Sequence, residues 1–278
     1  MIYELKPNEY KKIKPLLINL ENHPVINGVI DGNNLGRIFV DHLDAPKTAL
    51  VWAKMEMFFL IGDSKHGHFI TKLESFIINH IKPEALAIGD TDFNLEAFPF
   101  HEWKDAIFRN FSVSFNEGQR VPFIFKKDRF LDYLGKSIFQ PSDYSIRLID
   151  HRVIENDNEK VIEKEILKFW ESFDHFFQTG FGYCVTKGNE VIGSCISVFV
   201  TGNEYEIGIN TYSTEHRGKG LATLMAREFI CNCLEKGGIP HWTTEDFRKD
   251  SIAIANKLGF KQLPNYSMLY IPFKEWIL

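Results

Sequence analysis

The sequence predicts an α/β (α+β) protein with two domains in tandem, residues 1–142 and 143–278, each a mixed, mostly antiparallel sheet flanked by helices. Three observations carry that expectation. At 278 residues the chain has the length of two ordinary domains. Hydrophobic residues make up 44% and charged residues 25%, with 25 phenylalanines, the composition of a packed globular protein. One order of helix, three strands, helix and strand is legible twice along the chain.

In the first half "PNEYKKIKPLLINL" has helical character, followed by three strand-like runs, "GRIFVD", "TALVWAK" and "MFFLIGD". "HFITKLESFIINHI" repeats its apolar positions at helical spacing, and "EALAIGD" reads as the next strand. "HEWKDAIFRNF" is helical, and two extended runs, "VSFNE" and "VPFIF", complete this half. "QPSD", near Gln140 to Asp143, supplies the Pro/Ser break of a short linker.

The second half opens with "YSIRLID" as a strand and the charged helical stretch "EKVIEKEILKFWESFDHFF". "FGYCVT", "VIGSCISVFV" and "YEIGINTY" then form an antiparallel meander, because "KGN" and "TGNE" between them suit tight hairpin turns. A helix runs from about Leu221 to Lys236 and ends at "GG", the position of a C-terminal cap. "IPHWTT" is strand-like. "DSIAIANKLGF" is a short helix with Asp250 or Ser251 as N-cap and Gly259 closing it, and "YSMLYIPF" is the last strand.

Composition excludes several function classes. The net charge of −5 and the absence of a long Lys/Arg run leave no field for nucleic acid. There is no basic segment leading into an apolar run at the start, and no stretch of about 18 apolar residues, so a cytoplasmic location without membrane attachment is expected. Cys184, Cys195, Cys231 and Cys233 form no C-x-x-C pair and no metal-like spacing with histidine, so they read as buried reduced thiols and no metal is expected. Oligomeric state is not legible.

The chemically informative stretch is "TEHRGKGLATLMAREF", Thr214 to Phe229. Glycines in Arg217-Gly218-Lys219-Gly220-Leu221-Ala222 let the chain turn with its N–H groups inward, and a helix begins directly behind them. Backbone donors, the positive end of the helix dipole and the Arg217 guanidinium converge there as an anion cradle. A dinucleotide fingerprint is a poorer description, since the third glycine is missing and the preceding strand closes an antiparallel meander. A nucleoside-triphosphate loop would need Gly-Lys-Ser/Thr after a four-residue gap.

The order strand, "RGKGLA", long helix, strand, short helix ending in "KLGF" and final strand resembles the GNAT superfamily of acyl-CoA-dependent N-acetyltransferases. "GRIFVD", "SFDHFF", "GFGYCV", "EIGINT", "RGKGLAT" and "SIAIANKLGF" together resemble the GNAT group that includes the zwittermicin A resistance protein. The resemblance implies a tandem arrangement with a catalytic C-terminal half. In the N-terminal half the matching turn reads "GDSKHGHF", without the glycine pattern, so no cofactor is expected there.

The resemblance further implies acetyl-CoA as acetyl donor, its pyrophosphate on the N–H groups of Arg217, Gly218, Lys219, Gly220, Leu221 and Ala222. Its pantetheine arm would pair with "EIGINT", where Ile209 and Thr211 are the expected backbone partners. The acceptor is expected to be a primary amine of a small molecule, an aminated antibiotic or metabolite. An alkylammonium leaves only about one molecule in a thousand neutral at pH 7, so a carboxylate base is needed. Glu206, on the strand entering the site, is the first candidate and Glu245 the second; each is equally a solvated charge. The tyrosine that protonates the leaving thiolate in many GNAT enzymes is replaced by Ala255, and a common asparagine by Arg248. Tyr266 or solvent is then the remaining acid, while His175 and His241 read as structural. Two alternatives stay open: an acyl-CoA-binding sensor or scaffold without turnover, and an aminoacyl transferase of the cell-wall type.

Overall fold

The structure, a computed structural model, describes residues 1–136 and 141–276. Contacts divide the chain into two compact units, Met1–Gln119 joined by the segment from Tyr266 onward, and Arg120–Asn265.

In the first unit β1 (Tyr3–Glu4) leads through a 3-10 stretch, Pro7–Leu16, and α1 (Pro24–Ile30) to a meander of β2 (Gly36–Val40), β3 (Thr48–Ala53) and β4 (Met57–Gly62). All six residues of β3 are buried, which is why the run from Ala49 to Ala53 is apolar instead of alternating. α2 (Gly67–Phe76) continues through a π turn, Ile77–Ile81, into α3 (Lys82–Ile88). β5 (Asp92–Phe98) returns parallel to β4, and α4 (Phe100–Asn110) follows. The core packs Trp52, Phe58, Phe93, Phe115 and Trp276 against these helices.

β6 (Asn116–Phe125) carries the chain into the second unit, followed by α5 (Lys127–Leu134), β7 (Ser145–Leu148) and three short helices, α6 (His151–Asn156), α7 (Val161–Ile166) and α8 (Phe173–Thr179). β8 (Gly182–Lys187), β9 (Glu190–Thr201) and β10 (Glu204–Thr211) are the expected meander. α9 (Leu221–Glu235) crosses over, and β11 (Ile239–His241) lies parallel to β10, giving the sheet order β11-β10-β9-β8-β7. β12 (Thr243–Glu245), α10 (Lys249–Lys257) and β13 (Phe260–Gln262) complete the unit, and β14 (Tyr266–Pro272) belongs to the first. Met225, Phe229, Ile230 and Cys233 of α9 pack in a core with Val185, Cys195 and Ile207 of the sheet. Each unit is thus a mixed, mostly antiparallel sheet with one parallel pair across its long helical crossover.

Several elements differ from the sequence expectation. "EALAIGD" is the end of a helix: Pro83 sits in the first turn of α3, and Gly89, at φ 85°, caps it in the left-handed conformation. The strand comes afterwards, in "DFNLEAF". "VSFNE" and "VPFIF" contribute to one continuous strand, β6, and α5 was not anticipated. The expected division at 142/143 also differs from the compact units; the linker expected from Gln140 begins outside the described residues. The physical reason lies in strand pairing. β14 pairs with β5 (Leu269↔Leu95), while the later residues of β6 pair with β12 and β13 (Thr243↔Pro122, Phe260↔Phe125). Each unit therefore draws a strand from the other half of the sequence.

Candidate functional site

β10 has neighbours on both edges over only its first residues. Glu204, Tyr205 and Glu206 pair with Ile239, Pro240 and His241, whereas from Ile207 to Thr211 the pairing described is with β9 alone. The chain after β11 breaks away at Trp242, a buried indole whose Nε1 donates to Ser251 Oγ at 3.0 Å, and β12 pairs with β6 instead. The two strands therefore fork, and a β-bulge between Glu206 and Ile207 marks the fork on β10. Glu206 stands at this point, 6% exposed, its Oε1 accepting from the Thr243 N–H at 3.1 Å across the gap.

Beyond β10 the chain makes a 3-10 turn, Thr214–His216, then passes Gly218 at φ 74° and Gly220 at φ 79°. Both glycines occupy the left-handed region that an L side chain resists. Gly220 is the N-cap of the 15-residue α9, and no side chain caps that end. Its first N–H groups are free of side-chain partners, which suits an anion. α10 also presents its N-terminal residues here. A cleft of about 550 Å³ is lined by Ile209 to Thr211, by Arg217, Gly218 and Gly220 to Thr223, and by Arg248, Asp250 and Ser251.

The expected site residues meet to different degrees. Ile209, Thr211, Arg217, Gly218, Gly220, Leu221 and Ala222 share one cleft. Lys219 points its ammonium elsewhere: Nζ donates to Tyr144 Oη at 2.9 Å, and Oη lies 2.9 Å from Nδ1 of buried His216. Glu245 is held by Arg120 at 2.5 Å and lies 3.9 Å from Arg248, so its charge already has partners. Tyr266 belongs to the first unit and donates to buried Glu96 at 2.9 Å. Ala255 is 0% exposed and offers no acid. His241 is bonded to Glu204, and His175 packs edge-on against Trp170, as structural histidines.

Sequence reading missed Tyr144, Trp242 and the link from Asn210 Nδ2 to buried Glu165, 3.0 Å apart. Tyr144 meets the loop across 75 positions of sequence, which local pattern cannot reveal. Trp242 carried one usable signal, a large aromatic inside an otherwise short strand. Among the described residues there is no cluster of histidine, cysteine and carboxylate able to hold a metal, and no helix long and apolar enough to cross a membrane.

The sequence matches the profile of the family described as GNAT acetyltransferase over residues 14–269. It is 25% identical over 277 residues to the uncharacterized N-acetyltransferase YdfB of Bacillus subtilis strain 168, covering 97% of this chain and 98% of that protein. Two solved structures share the fold. A GCN5-related N-acetyltransferase-like protein from Streptococcus suis 89/1591 has a TM-score of 0.68 at 19% identity, covering 95% of this chain and 98% of its own. A tandem GNAT protein from the clavulanic acid biosynthesis pathway has a TM-score of 0.59 at 13% identity, covering 98% of each chain.

Proposed function

The chain belongs to the GNAT acetyltransferase family, and from that premise we propose that it transfers an acetyl group from acetyl-CoA to a primary amine of a small molecule. Proteins of this family use acetyl-CoA as donor, and the residues here suit that group. The observation that carries the reading is the cleft in which the open edge of β10 meets the uncapped, glycine-turned N-terminus of α9. The pyrophosphate would rest on the N–H groups of Gly218 to Ala222, beside the Arg217 guanidinium. Pantetheine would run along Ile209 and Thr211, supplying the strand edge that β11 and β12 leave open.

At the fork Glu206 would take the proton of the incoming ammonium, directly or through water. The neutral amine attacks the thioester carbonyl, a C–N bond forms, the nitrogen gives its extra proton to solvent, the C–S bond breaks, and the thiolate takes a proton from solvent because Ala255 has none to give. A backbone N–H of β10 facing the gap would hold the oxyanion. Paired with Arg120, Glu245 is the weaker base.

The first unit we read as a scaffold. In its matching turn Asp63 Oδ1 accepts from the Lys65 N–H at 2.9 Å, so a carboxylate already occupies one donor that an incoming anion would need. An aminated antibiotic or metabolite, as in the zwittermicin A resistance group, is the acceptor class that the sequence resemblance supports. The test is release of free CoA thiol from acetyl-CoA across a panel of aminated antibiotics, polyamines and amino sugars. Amine-dependent release that saturates with both substrates is expected; acetyl-CoA binding without release on any amine would overturn the catalytic reading.

A further inference from the structure

Ser251 lies in the first turn of α10, is 5% exposed and lines the cleft formed with β10 and α9. A serine in a helix commonly turns its proton back to a carbonyl one turn earlier. Here Oγ instead accepts from Trp242 Nε1 at 3.0 Å, and among the described residues no acceptor takes its own proton. The indole fixes where that hydroxyl stands. Trp242 is the residue at which the chain leaves β11, and the N–H of the next residue, Thr243, donates to Glu206 across the fork at 3.1 Å. Ser251 therefore stands at the fork end of the cleft. Two other hydroxyls line it nearer the glycine loop: Thr211 closes β10, its carbonyl accepting from Arg217 Nε at 3.4 Å, and Thr223 sits in the first turn of α9. Ser251 also precedes Ala255, the position without an acid, by one helical turn and shares its face of α10.

We propose that Ser251 is the catalytic residue through which a solvent proton reaches the leaving thiolate, with Trp242 as its positioning residue. The proposal rests on the acetyl transfer and the donor cleft described above. As the C–S bond breaks, its electron pair stays on sulfur. The sulfur takes the Oγ proton while Oγ takes one from solvent, so the serine ends as it began. The amine closes the balance: its nitrogen gives up two protons on going from ammonium to amide, and the thiolate takes up one. A serine hydroxyl is too weak an acid to stay ionised, so it relays a proton and does not store the charge. The indole N–H offsets the charge that gathers on Oγ, and a hydroxyl that accepts one hydrogen bond donates the next more strongly. Its bond to the thiolate is charge-assisted, which favours departure of the sulfur.

The experiment uses free CoA as probe, so no acceptor amine has to be known. The ultraviolet absorbance of its thiolate is followed from about pH 6 to pH 10 on the full chain, as wild type, Ser251→Ala, Ser251→Thr and Trp242→Phe. Calorimetric titration of CoA into each form establishes that the complex is made. In wild type the bound thiol should titrate below the thiol of free CoA. Ser251→Ala should raise the midpoint by about one pH unit, the scale of one charge-assisted hydrogen bond. Ser251→Thr, which keeps the hydroxyl, should restore it, and Trp242→Phe should raise it by part of that amount. Arg217, His216, Arg248 and Asp250 line the same cleft and are present in every form, so their fields cancel from the comparison. A merely structural Ser251 would lower the melting temperature and leave the midpoint in place. Equal midpoints in wild type and Ser251→Ala, or in Ser251→Ala and Ser251→Thr, overturn the relay and leave the donor cleft standing. Should Ser251→Ala fail to fold, an unchanged midpoint in Trp242→Phe overturns it in the same way. Failure of wild type to bind CoA overturns both readings.

Discussion

Lys219 Nζ donates to Tyr144 Oη at 2.9 Å, and that hydroxyl lies 2.9 Å from Nδ1 of His216. Tyr144 thus bridges a cation of the glycine loop and a buried imidazole of the turn before it. The chain Lys219, Tyr144, His216 spans both sides of Arg217 and Gly218. It ties the glycine loop to the residue preceding β7, so the cradle is set before any anion arrives.

Tyr144→Phe removes the middle of that chain and leaves a buried imidazole without its partner. A loss of about 1–3 kcal/mol in stability is expected. The KM for acetyl-CoA should rise several-fold with kcat nearly unchanged, since in the proposed reading the loop would bind donor away from the reacting atoms. Denaturant melts and steady-state kinetics read the two effects separately.

Glu206→Gln keeps the shape that bonds to Thr243 and removes the proposed base. The expected result is a fall in kcat of about 10²–10⁴, with acetyl-CoA affinity within about twofold of wild type. Glu245→Gln should act differently: it neutralises a carboxylate 2.5 Å from the buried Arg120 guanidinium, so stability falls more than kcat does.

How much of this was legible beforehand depends on the range of the interaction. The glycine loop was readable because left-handed φ at Gly218 and Gly220 and the start of α9 are local demands written in adjacent residues. α3 was mistaken for a strand because "EALAI" has an apolar run too short to separate the two periods, and the decisive Pro83 and Gly89 lie at its ends. "IPHWTT" looked like one strand, yet the side chain that parts it, Trp242, does so through Ser251 on another helix. The partner of β14 could not be read at all: Leu269 finds Leu95 through the tertiary fold, and a strand's sequence does not name its neighbour. Glu206 was noticed as a charge in an apolar strand, while its place at the fork needed β12.

Gly208→Ala tests the packing behind that fork. A Cβ there would come within 2.3 Å of Val198 Cγ1. Overpacking of this kind costs about 1–3 kcal/mol, and pushing β10 away from β9 should also raise the KM for acetyl-CoA. Gly202→Ala, in an open turn, serves as control; its backbone conformation is strained for alanine but its Cβ meets nothing within 4 Å. Thermal melts of the two should separate the packing effect from backbone strain, with a decrease in Tm for Gly202→Ala alone contradicting the account.

Burial pushes the Cys184 thiol up to about 11 and that of Cys233 up to about 12. The sign follows from linkage: below about pH 8.5 both native and unfolded thiols are protonated, and the stabilisation is fully present. As pH rises toward 11 the unfolded chain releases protons that the native protein keeps, so stability falls, by up to about 1.4 kcal/mol per pH unit for each thiol. Melting temperature should decline from pH 9 to 11, and Cys184→Ala should flatten that decline. Alkylation of native protein at pH 8 should be slow at Cys184, Cys195 and Cys233, which are buried.

The central claim, that the glycine-turned end of α9 holds the pyrophosphate of acetyl-CoA, is met most directly by titrating acetyl-CoA calorimetrically into wild type, Gly220→Glu and Gly188→Glu. Both glycines have positive φ and no heavy atom within 4 Å of an added Cβ, so the two substitutions carry similar backbone strain, and only Gly220 lines the cleft. Binding to wild type and Gly188→Glu with loss in Gly220→Glu is the predicted result. Undiminished binding to Gly220→Glu would contradict the account.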